Sequence, residues 1–294
     1  MGAAKAKFHF SLCADDYALS PAVSRGVLEA IDAGRLMATS CLVTRPAWPL
    51  AARALQQRKT KADIGLHFNL TLGSPLAPMP LFAPAGIFPG PGEIVRQGLK
   101  RNLPEGEIGQ EIARQIDKFC EHFLAPPDFA DGHHHIHAVP QVRSQLFRAL
   151  EEKGFRGRIW LRDPGDGLAR ILRRGLSSAA KALGVAWMAR GFSAQARMRG
   201  FATNDGFAGF SAFDPKQSYA GEFARYLLAP GTRHLVMCHP GYCDEELDAA
   251  DSVTISREQE LRFLLSPAFD EILESNGAQL VRLSARLSRA LAGN

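Results

Sequence analysis

The chain has 294 residues and a mass of 32.0 kDa, with 46% hydrophobic residues, 22% charged residues and a formal charge of +5. These values are ordinary for a soluble globular protein, so they allow one large α/β domain or two small ones with a sizeable core. Lys and Arg are scattered. The densest basic stretch, Arg162 to Lys181, is typical of a solvated helix face, with a phosphate or nucleic-acid patch as the alternative. We expect no nucleic-acid partner.

Cysteine usage and the N-terminus bear on the compartment. Five cysteines, at positions 13, 41, 120, 238 and 243, form no CxxC pair, which fits a reducing cytoplasm better than a disulfide framework. No apolar signal segment follows Lys5 and Lys7, and no apolar run reaches the roughly 18 to 20 residues of a membrane span. We predict a cytoplasmic protein without a membrane span, and we leave a homo-oligomer open.

The first half of the chain alternates between strand and helix patterns. Period-two alternation, as in Phe8 and Phe10, marks strands, whereas spacings near 3.6, as in Val23 and Val27, mark helices. Ser20 is the expected N-cap of the first helix. The patterns predict strands at 8–14, 38–43 and 63–71, and helices at 21–33 and 50–57. Residues 73–92 carry six prolines and are predicted to be a loop covering a functional site.

The second half continues the alternation. The patterns predict a short strand before the histidine run at 133–137, strands at 155–161, 234–239 and 278–283, and helices at 108–123, 140–154, 166–183, 216–228 and 256–275. Residues 184–209, rich in Gly and Arg, are predicted to form an irregular insertion. No composition break divides the chain.

About seven strand–helix units predict a single α/β domain over residues 1–294, with loop insertions near 73–92 and 184–209. A barrel-like parallel sheet is favoured over an open doubly wound sheet. The glycine-rich dinucleotide fingerprint is missing after the first strand, where an acidic pair lies instead. Polar residues also follow several different strands, as they do in barrel enzymes.

Two adjacent carboxylates, Asp15 and Asp16, end the first predicted strand. Side chains alternate along a strand, so both can reach one site only if the backbone turns there. Two buried carboxylates repel each other and require a cation or a shared proton. The alternative is that one Asp caps the following helix, although Ser20 fills that role better.

Four of the nine histidines, His133, His134, His135 and His137, fall within five positions, just after Asp131. In an extended chain the first, third and fourth of these would share one face, whereas a helical start would change the set. Neutral imidazole is the commonest ligand of zinc-like ions, and a neighbouring carboxylate typically orients the ring. We favour a metal site over a polar surface loop.

Further polar residues lie on or after other predicted strands. His67 is on the polar face of the third strand, with Asn69 as a same-face neighbour, and by itself would be expected to be a structural histidine. His239 ends a strand and precedes Pro-Gly. Arg162 follows another strand and is weak evidence alone. Together with the acidic pair and the histidine run, these residues predict one site at the ends of successive strands.

An Asp with two His is a facial ligand set with open positions, suited to Zn²⁺, Fe²⁺, Mn²⁺ or a hydrated Mg²⁺. A second Asp can act as a general base, and a distal His can protonate a leaving group. These parts suffice to hydrolyse an amide or an ester. The ligands do not name the bond, so a metal-dependent phosphoesterase, another amidohydrolase and a non-catalytic sugar- or metal-binding protein remain alternatives.

The chain resembles the YdjC-like (ChbG/HpnK) carbohydrate deacetylases in four motifs: ADDY at 14–17, GLHFNL at 65–70, DGHHHIH at 131–137 and CHPG at 238–241. The resemblance spans about Phe8 to Tyr242. It implies a β/α barrel related to the polysaccharide deacetylases, and hydrolysis of the N-acetyl group of a sugar with release of acetate. The implied substrate is a small carbohydrate or glycolipid, such as chitin disaccharide, an N-acetylglucosaminyl hopanoid or a cell-envelope precursor.

The resemblance also implies a role for each motif residue. One divalent ion, Mg²⁺ or Zn²⁺, would be held by Asp16, His67 and His133. Asp15 would be the base that activates water, and His239 the acid that protonates the departing amine.

The remaining motif residues would support these groups or contact the substrate. Asp131 would orient a ligand ring, and a backbone N–H near Tyr17 would stabilise the oxyanion. The other members of this set are His135, His137 and Asn69. Arg162, which lies outside the four motifs, is predicted to join them because it follows another strand.

One position departs from the family pattern. The first motif of the family usually ends in Gly, whereas this chain has Ala18. A position that requires positive φ disfavours Ala, so the local backbone or the room for substrate is expected to differ. Residues 184–209 have no recognisable counterpart in the family.

Overall fold

The computed structural model describes residues 8–175 and 178–285. These residues form one sheet in which every strand pair is parallel. Its strands are Phe8–Tyr17 (β1), Ala38–Cys41 (β2), Asp63–Phe68 (β3), Phe129–Gly132 (β4), Trp160–Leu161 (β5), Ala202–Thr203 (β6), Gly206–Ala208 (β7), His234–Cys238 (β8) and Ala278–Leu280 (β9).

The strand order shows that the sheet curls into a distorted barrel. Neighbouring strands follow the order β6-β5-β4-β3-β2-β1-β8-β7, and β9 pairs with the start of β1. The two ends of this order, β6 and β7, are separated in the chain by just Asn204 and Asp205. The sheet must therefore bend until its edges come close, and the predicted α/β barrel-like fold class is confirmed.

Helices and one 3₁₀ segment, His133–Ala138, connect the strands. The helices are Pro21–Asp32 (α1), Trp48–Gln56 (α2), Pro91–Leu99 (α3), Glu105–Phe123 (α4), Pro140–Glu152 (α5), Leu168–Arg174 (α6), Ala179–Met188 (α7), Phe192–Met198 (α8), Tyr219–Tyr226 (α9), Glu245–Ala250 (α10), Ile255–Leu264 (α11) and Pro267–Asn276 (α12). Within the described ranges, no helix has both the length and the apolar character needed to cross a membrane.

The first strand–helix unit follows the sequence prediction closely. The Ser20 Oγ accepts a hydrogen bond from the Val23 N–H at 3.2 Å and so caps α1, whose first residue is Pro21. Val23 and Val27 are fully buried on the helix face that meets the sheet. Because β1 lies in the middle of the sheet, this packing fixes the strand whose end carries Asp15 and Asp16.

The prediction of an irregular insertion at 184–209 is wrong. This stretch contains the end of α7, all of α8 and the edge strands β6 and β7. Two of its glycines flank a helix instead of preventing it: Gly191 (φ 76°) precedes α8, and Gly200 (φ 82°) follows it. The two strands have two and three residues, which is too short to show a period in the sequence.

Several predicted boundaries also differ. The predicted helix at 256–275 is two helices, because Pro267 starts α12 after Ser266. The predicted helix at 166–183 is interrupted at Gly175, which has φ 57°. Residues 73–90 form a loop as predicted, but its backbone N–H groups at Leu76 and Phe82 bond to glutamates of α4. The loop thus packs on α4, and none of residues 73–90 lines the cavity described next.

Candidate metal centre and active site

A cavity of about 330 Å³ lies at the carboxyl ends of β1, β3, β4 and β8. Its lining brings together the acidic pair, His67, the start of the histidine run and His239. Asp15 and His239, which are 224 positions apart in the sequence, thus share one cavity. This is the end of a barrel at which functional groups are normally found.

The backbone turns at the acidic pair. Asp16 has φ 66°, and the pairing of β1 with β2 is irregular between Ala14 and Tyr17. This turn breaks the alternation of side chains, so Asp15 and Asp16 both line the cavity. Ala18 follows with φ 70°. The position where the family usually has Gly therefore does require positive φ, and this chain holds an alanine there.

Asp16, His67 and His133 offer three ligand atoms within 4.8 Å of one another. The Asp16 Oδ1 lies 3.1 Å from His133 Nδ1 and 3.4 Å from His67 Nε2. All three side chains are buried, and among residues 8–175 and 178–285 no donor forms a hydrogen bond of acceptable geometry with the Asp16 Oδ1. A buried carboxylate oxygen without a donor, next to two imidazole nitrogens, fits a divalent cation as its partner.

A second group of ligand atoms, from Asp15, His67 and Asp131, is equally compact but fits a cation less well. The Arg162 guanidinium already contacts both carboxylates: Nη1 and Nη2 donate to Asp15 at 2.6 Å each, and Nη2 lies 2.7 Å from Asp131 Oδ2. A fixed guanidinium charge there opposes a second cation. The set with Asp16 is therefore the better metal centre.

The ring nitrogen of His67 that points away from Asp16 contacts two buried polar side chains. Its Nδ1 lies 2.6 Å from Asp131 Oδ1 and 3.1 Å from Ser40 Oγ. Burial lowers the pKa of His67, but Asp131 and Asp16 outweigh it and raise that pKa to about 10. Burial likewise raises the pKa of Asp131, but Arg162 and His67 outweigh it and hold that pKa below its usual range. Such a carboxylate–histidine pair orients a ligand ring and raises its basicity.

The histidine run does not stay extended. His134 and His135 have φ of 54° and 57°, so the three alternate histidines do not share one face. His133 faces Asp16, whereas His134 Nδ1 lies 3.0 Å from Thr71 Oγ1. His135 lines the cavity, with its ring edge-on to Phe210 at 5.2 Å.

Five residues that the sequence associated with the site lie outside the cavity lining. Asp131 and Arg162 contact the lining residues His67 and Asp15. The other three are His137, Asn69 and Tyr17. Both ring nitrogens of His137 form hydrogen bonds with the backbone. Nδ1 accepts from the Gly132 N–H, and Nε2 donates to the Arg162 carbonyl. The Asn69 side chain bonds to its own loop. The Tyr17 hydroxyl donates to the Ala51 carbonyl on α2 at 2.9 Å. These side chains hold the loops that carry the site.

His239 lies at the end of β8 and lines the cavity together with both aspartates. Its Nδ1 is buried and has no partner among the described residues. Burial lowers the pKa of His239 to about 4, although Asp16 and Asp15 partly oppose this. The backbone N–H of His239 donates to Glu260 at 2.6 Å, and Phe213 packs edge-on against the ring at 5.2 Å. The imidazole is thus fixed and uncharged near neutral pH.

Arg257 was not anticipated from the sequence. Its Nη2 donates to Asp16 Oδ2 at 2.7 Å and to Asp251 Oδ2 at 2.6 Å, and its side chain is buried. Burial raises the pKa of Asp16, but Arg257 and His133 outweigh it and hold that pKa well below its usual range. An arginine on a helix such as α11 normally indicates a solvated face, so no local signal identified it. Glu260, also on α11, was missed for the same reason, and Ser40 was missed because a serine within strand β2 has no distinguishing local pattern.

A family model described as YdjC-like protein matches residues 9–275. The chain belongs to the YdjC-like family. A human protein named carbohydrate deacetylase is 30% identical over 92% of this chain and 88% of its own length. A protein of the same name from Geobacillus stearothermophilus is 29% identical over 91% of this chain and 94% of its own. A chitooligosaccharide deacetylase from Salmonella typhimurium is 34% identical over 50% of this chain and 57% of its own.

A solved structure supports the fold independently. An Enterococcus faecalis protein superposes with a TM-score of 0.71 at 20% identity, over 95% of this chain and 98% of its own. At this identity the likeness establishes a shared fold alone. Membership in the family and the barrel-like architecture therefore agree with what the four sequence motifs implied.

Proposed function

We propose that this YdjC-like protein is a hydrolase that removes the N-acetyl group from an N-acetylated sugar and releases acetate, with one divalent ion held by Asp16, His67 and His133. The observation that carries the proposal is the buried Asp16 Oδ1, which faces two imidazole nitrogens and has no well-aligned donor in the described part of the chain. The names of the human and Geobacillus relatives, carbohydrate deacetylase, support the reaction class.

The ion would supply Lewis acidity at the amide carbonyl and lower the pKa of a water molecule. Asp15 is the general base in this proposal. Arg162 holds both of its oxygens, and a carboxylate oxygen can still accept a further hydrogen bond beside one arginine contact. Asp15 takes one proton from water, and the water oxygen forms a bond to the carbonyl carbon. The backbone N–H of Tyr17 is assigned the role of stabilising the resulting oxyanion.

Collapse of the tetrahedral intermediate breaks the carbon–nitrogen bond, and the sugar nitrogen must gain a proton. We assign its delivery to His239, whose ring lines the same cavity. Because the pKa of His239 is about 4, the ring carries no extra proton near neutral pH. The proton that Asp15 removes from water therefore has to reach the nitrogen through His239 within the cavity. Acetate and the amino sugar then account for every atom of the amide and the water.

The proposed ligand atoms indicate which metal the site would bind. Two imidazoles and one carboxylate suit Zn²⁺ or a similar transition-metal ion better than Mg²⁺, which prefers oxygen ligands and water.

For the sugar, we propose an N-acetylated oligosaccharide or glycolipid headgroup, in keeping with the name of the Salmonella relative. We further propose a cytoplasmic location, supported by the free thiols of all five cysteines.

The test is acetate release. Purified protein is stripped with a chelator, reloaded with Zn²⁺ or Mg²⁺, and incubated with N,N′-diacetylchitobiose, N-acetylglucosamine and an aryl phosphate ester. We expect acetate from at least one N-acetylated sugar, more with Zn²⁺ than with Mg²⁺, and no phosphate release. Phosphate release without acetate would refute the proposed reaction class.

A further inference from the structure

A second cleft, of about 610 Å³, lies between α3, α5 and α7. Three arginines line it, Arg101, Arg143 and Arg190, and we call it the arginine cleft. Its volume falls in the range that small-molecule sites occupy. It is separate from the cavity with Asp16, which has a different lining. Nothing in the proposed hydrolysis uses this cleft.

Positive charge is in excess in the cleft, with three arginines and one glutamate in its lining. In the described part of the chain, none of the three guanidinium groups forms an ion pair, although the exposed arginines Arg96 and Arg148 both do. The one carboxylate in the lining, Glu105, bonds instead to the side-chain amides of Gln141 and Gln145.

Arg143 is the most informative of the three arginines. It is 3% exposed, its Nη1 donates to the Arg190 carbonyl at 3.1 Å, and its buried Nε has no partner in residues 8–175 and 178–285. The side chain of nearby Asp163 bonds to Ser193 and to the Gly165 N–H rather than to this arginine. A buried arginine without a carboxylate is costly, so an external oxyanion would be a favourable partner.

An aromatic surface adjoins these charges. Trp187 lines the cleft and is 57% exposed, whereas Trp48 and Trp160 are buried. A half-exposed indole beside cationic groups offers a flat face for the apolar side of a sugar ring. Leu99, 62% exposed, extends the same apolar rim.

We propose that the arginine cleft binds a sugar that carries a carboxylate or phosphate group, with the oxyanion at the guanidinium groups and the ring on Trp187. Arginine forks match both oxyanions bidentately, so the two sources share one recognition chemistry. Helices α3 and α7 also contribute Pro91 and Val185 to the candidate active site, so the two sites share supporting helices. The proposal concerns binding alone and does not rest on the proposed hydrolysis.

Calorimetry on the full chain, without any turnover, tests this. The probes are glucose 6-phosphate, glucuronate, neutral glucose and inorganic phosphate. We expect the two charged sugars to bind with similar enthalpy and to compete with each other, and glucose not to bind at the same concentration. Equal binding of glucose, or no binding of either charged sugar at millimolar concentration, would overturn the proposal.

Matched variants locate the site. The double variant Arg101→Ala/Arg190→Ala is expected to weaken glucose 6-phosphate about tenfold or more. The control Arg96→Ala/Arg148→Ala removes the same charge from α3 and α5 outside the cleft, and is expected to change the affinity less than about twofold. An equal loss in both double variants would indicate bulk charge and refute the site.

The variant Trp187→Ala distinguishes recognition of the sugar ring from recognition of its oxyanion. We expect it to weaken both charged sugars while leaving inorganic phosphate unchanged, because phosphate needs the guanidinium groups alone. If Trp187→Ala has no effect on the sugars, or instead dissociates an oligomer of the chain, the exposed indole does not serve sugar binding and the proposal fails.

Discussion

Arg257 Nη2 lies 2.7 Å from Asp16 Oδ2, on the opposite oxygen from the one that faces His67 and His133. One carboxylate oxygen is thereby held by a fixed charge, and the other is left for a cation. The same guanidinium contacts Asp251, so its position is fixed from two sides. We infer that Arg257 is a positioning residue that sets the orientation of Asp16, the proposed metal ligand.

Replacing Arg257 by lysine should therefore weaken metal binding while keeping the charge. An ammonium group is a single point charge and cannot reproduce the fixed planar geometry by which the guanidinium bridges two carboxylates. We expect a loss of about 10- to 100-fold in Zn²⁺ affinity, measured by competition with a fluorescent chelator. Arg262→Lys, on the same helix with a side chain 75% exposed, is the matched control and should leave the affinity unchanged. Equal affinities in both variants would contradict the positioning role.

We expect the substitution Ala18→Gly to affect stability in an unusual way, because position 18 has a positive φ. At φ 70° an alanine is strained by about 1 to 2 kcal/mol, and loss of its buried methyl group costs about 0.8 kcal/mol. Ala18→Gly should thus be neutral or slightly stabilising in chemical denaturation. Ala30→Gly removes an equally buried methyl from helix α1 and should destabilise by about 2 kcal/mol. Similar losses in the two variants would show that position 18 is unstrained.

We expect Asp128, which lies outside the candidate active site, to make the stability of the protein depend on pH. Burial raises its pKa to about 6, with Asp63 adding to the shift, and its Oδ2 accepts the Ile64 N–H at 2.8 Å. A raised acid pKa means that the folded state binds more protons, so the native protein loses stability as pH rises from about 4 to about 6.

Asp128→Asn keeps an oxygen acceptor for the Ile64 N–H and removes the charge. Relative to the native protein, this variant should gain about 1 kcal/mol, or roughly 2 °C in melting temperature, above pH 6, and nothing near pH 4. Thermal melts at both pH values measure this difference. A gain of the same size at pH 4 would exclude deprotonation of Asp128 as its cause.

The sequence was sufficient to predict the barrel class and the convergence of His67, His133 and His239, because parallel strands deliver their last residues to one end of a sheet. The turn that lets Asp15 and Asp16 share a site was recognised as a requirement, and φ at Asp16 supplies it. Each of these inferences needed just local patterns and the direction of the strands.

Other features depend on contacts that no local pattern encodes. Arg257 is 241 positions from Asp16, and a buried arginine on a helix has the same sequence signature as an exposed one. The left-handed residues His134 and His135 break the alternation expected of an extended run. Strands β6 and β7 exist because the curled sheet offers them edges to pair with, and not because their few residues favour a strand.

The different roles proposed for Asp15, as a base, and His67, as a metal ligand, allow the most direct test of the metal centre. Elemental analysis and acetate release should be measured together on Asp15→Asn, His67→Ala and the unaltered protein. We expect Asp15→Asn to retain its divalent ion and to lose activity by about 10²- to 10⁴-fold, while His67→Ala loses the ion itself. If both variants lose the ion to the same extent, or if His67→Ala retains it, the metal centre is not the one described by Asp16, His67 and His133.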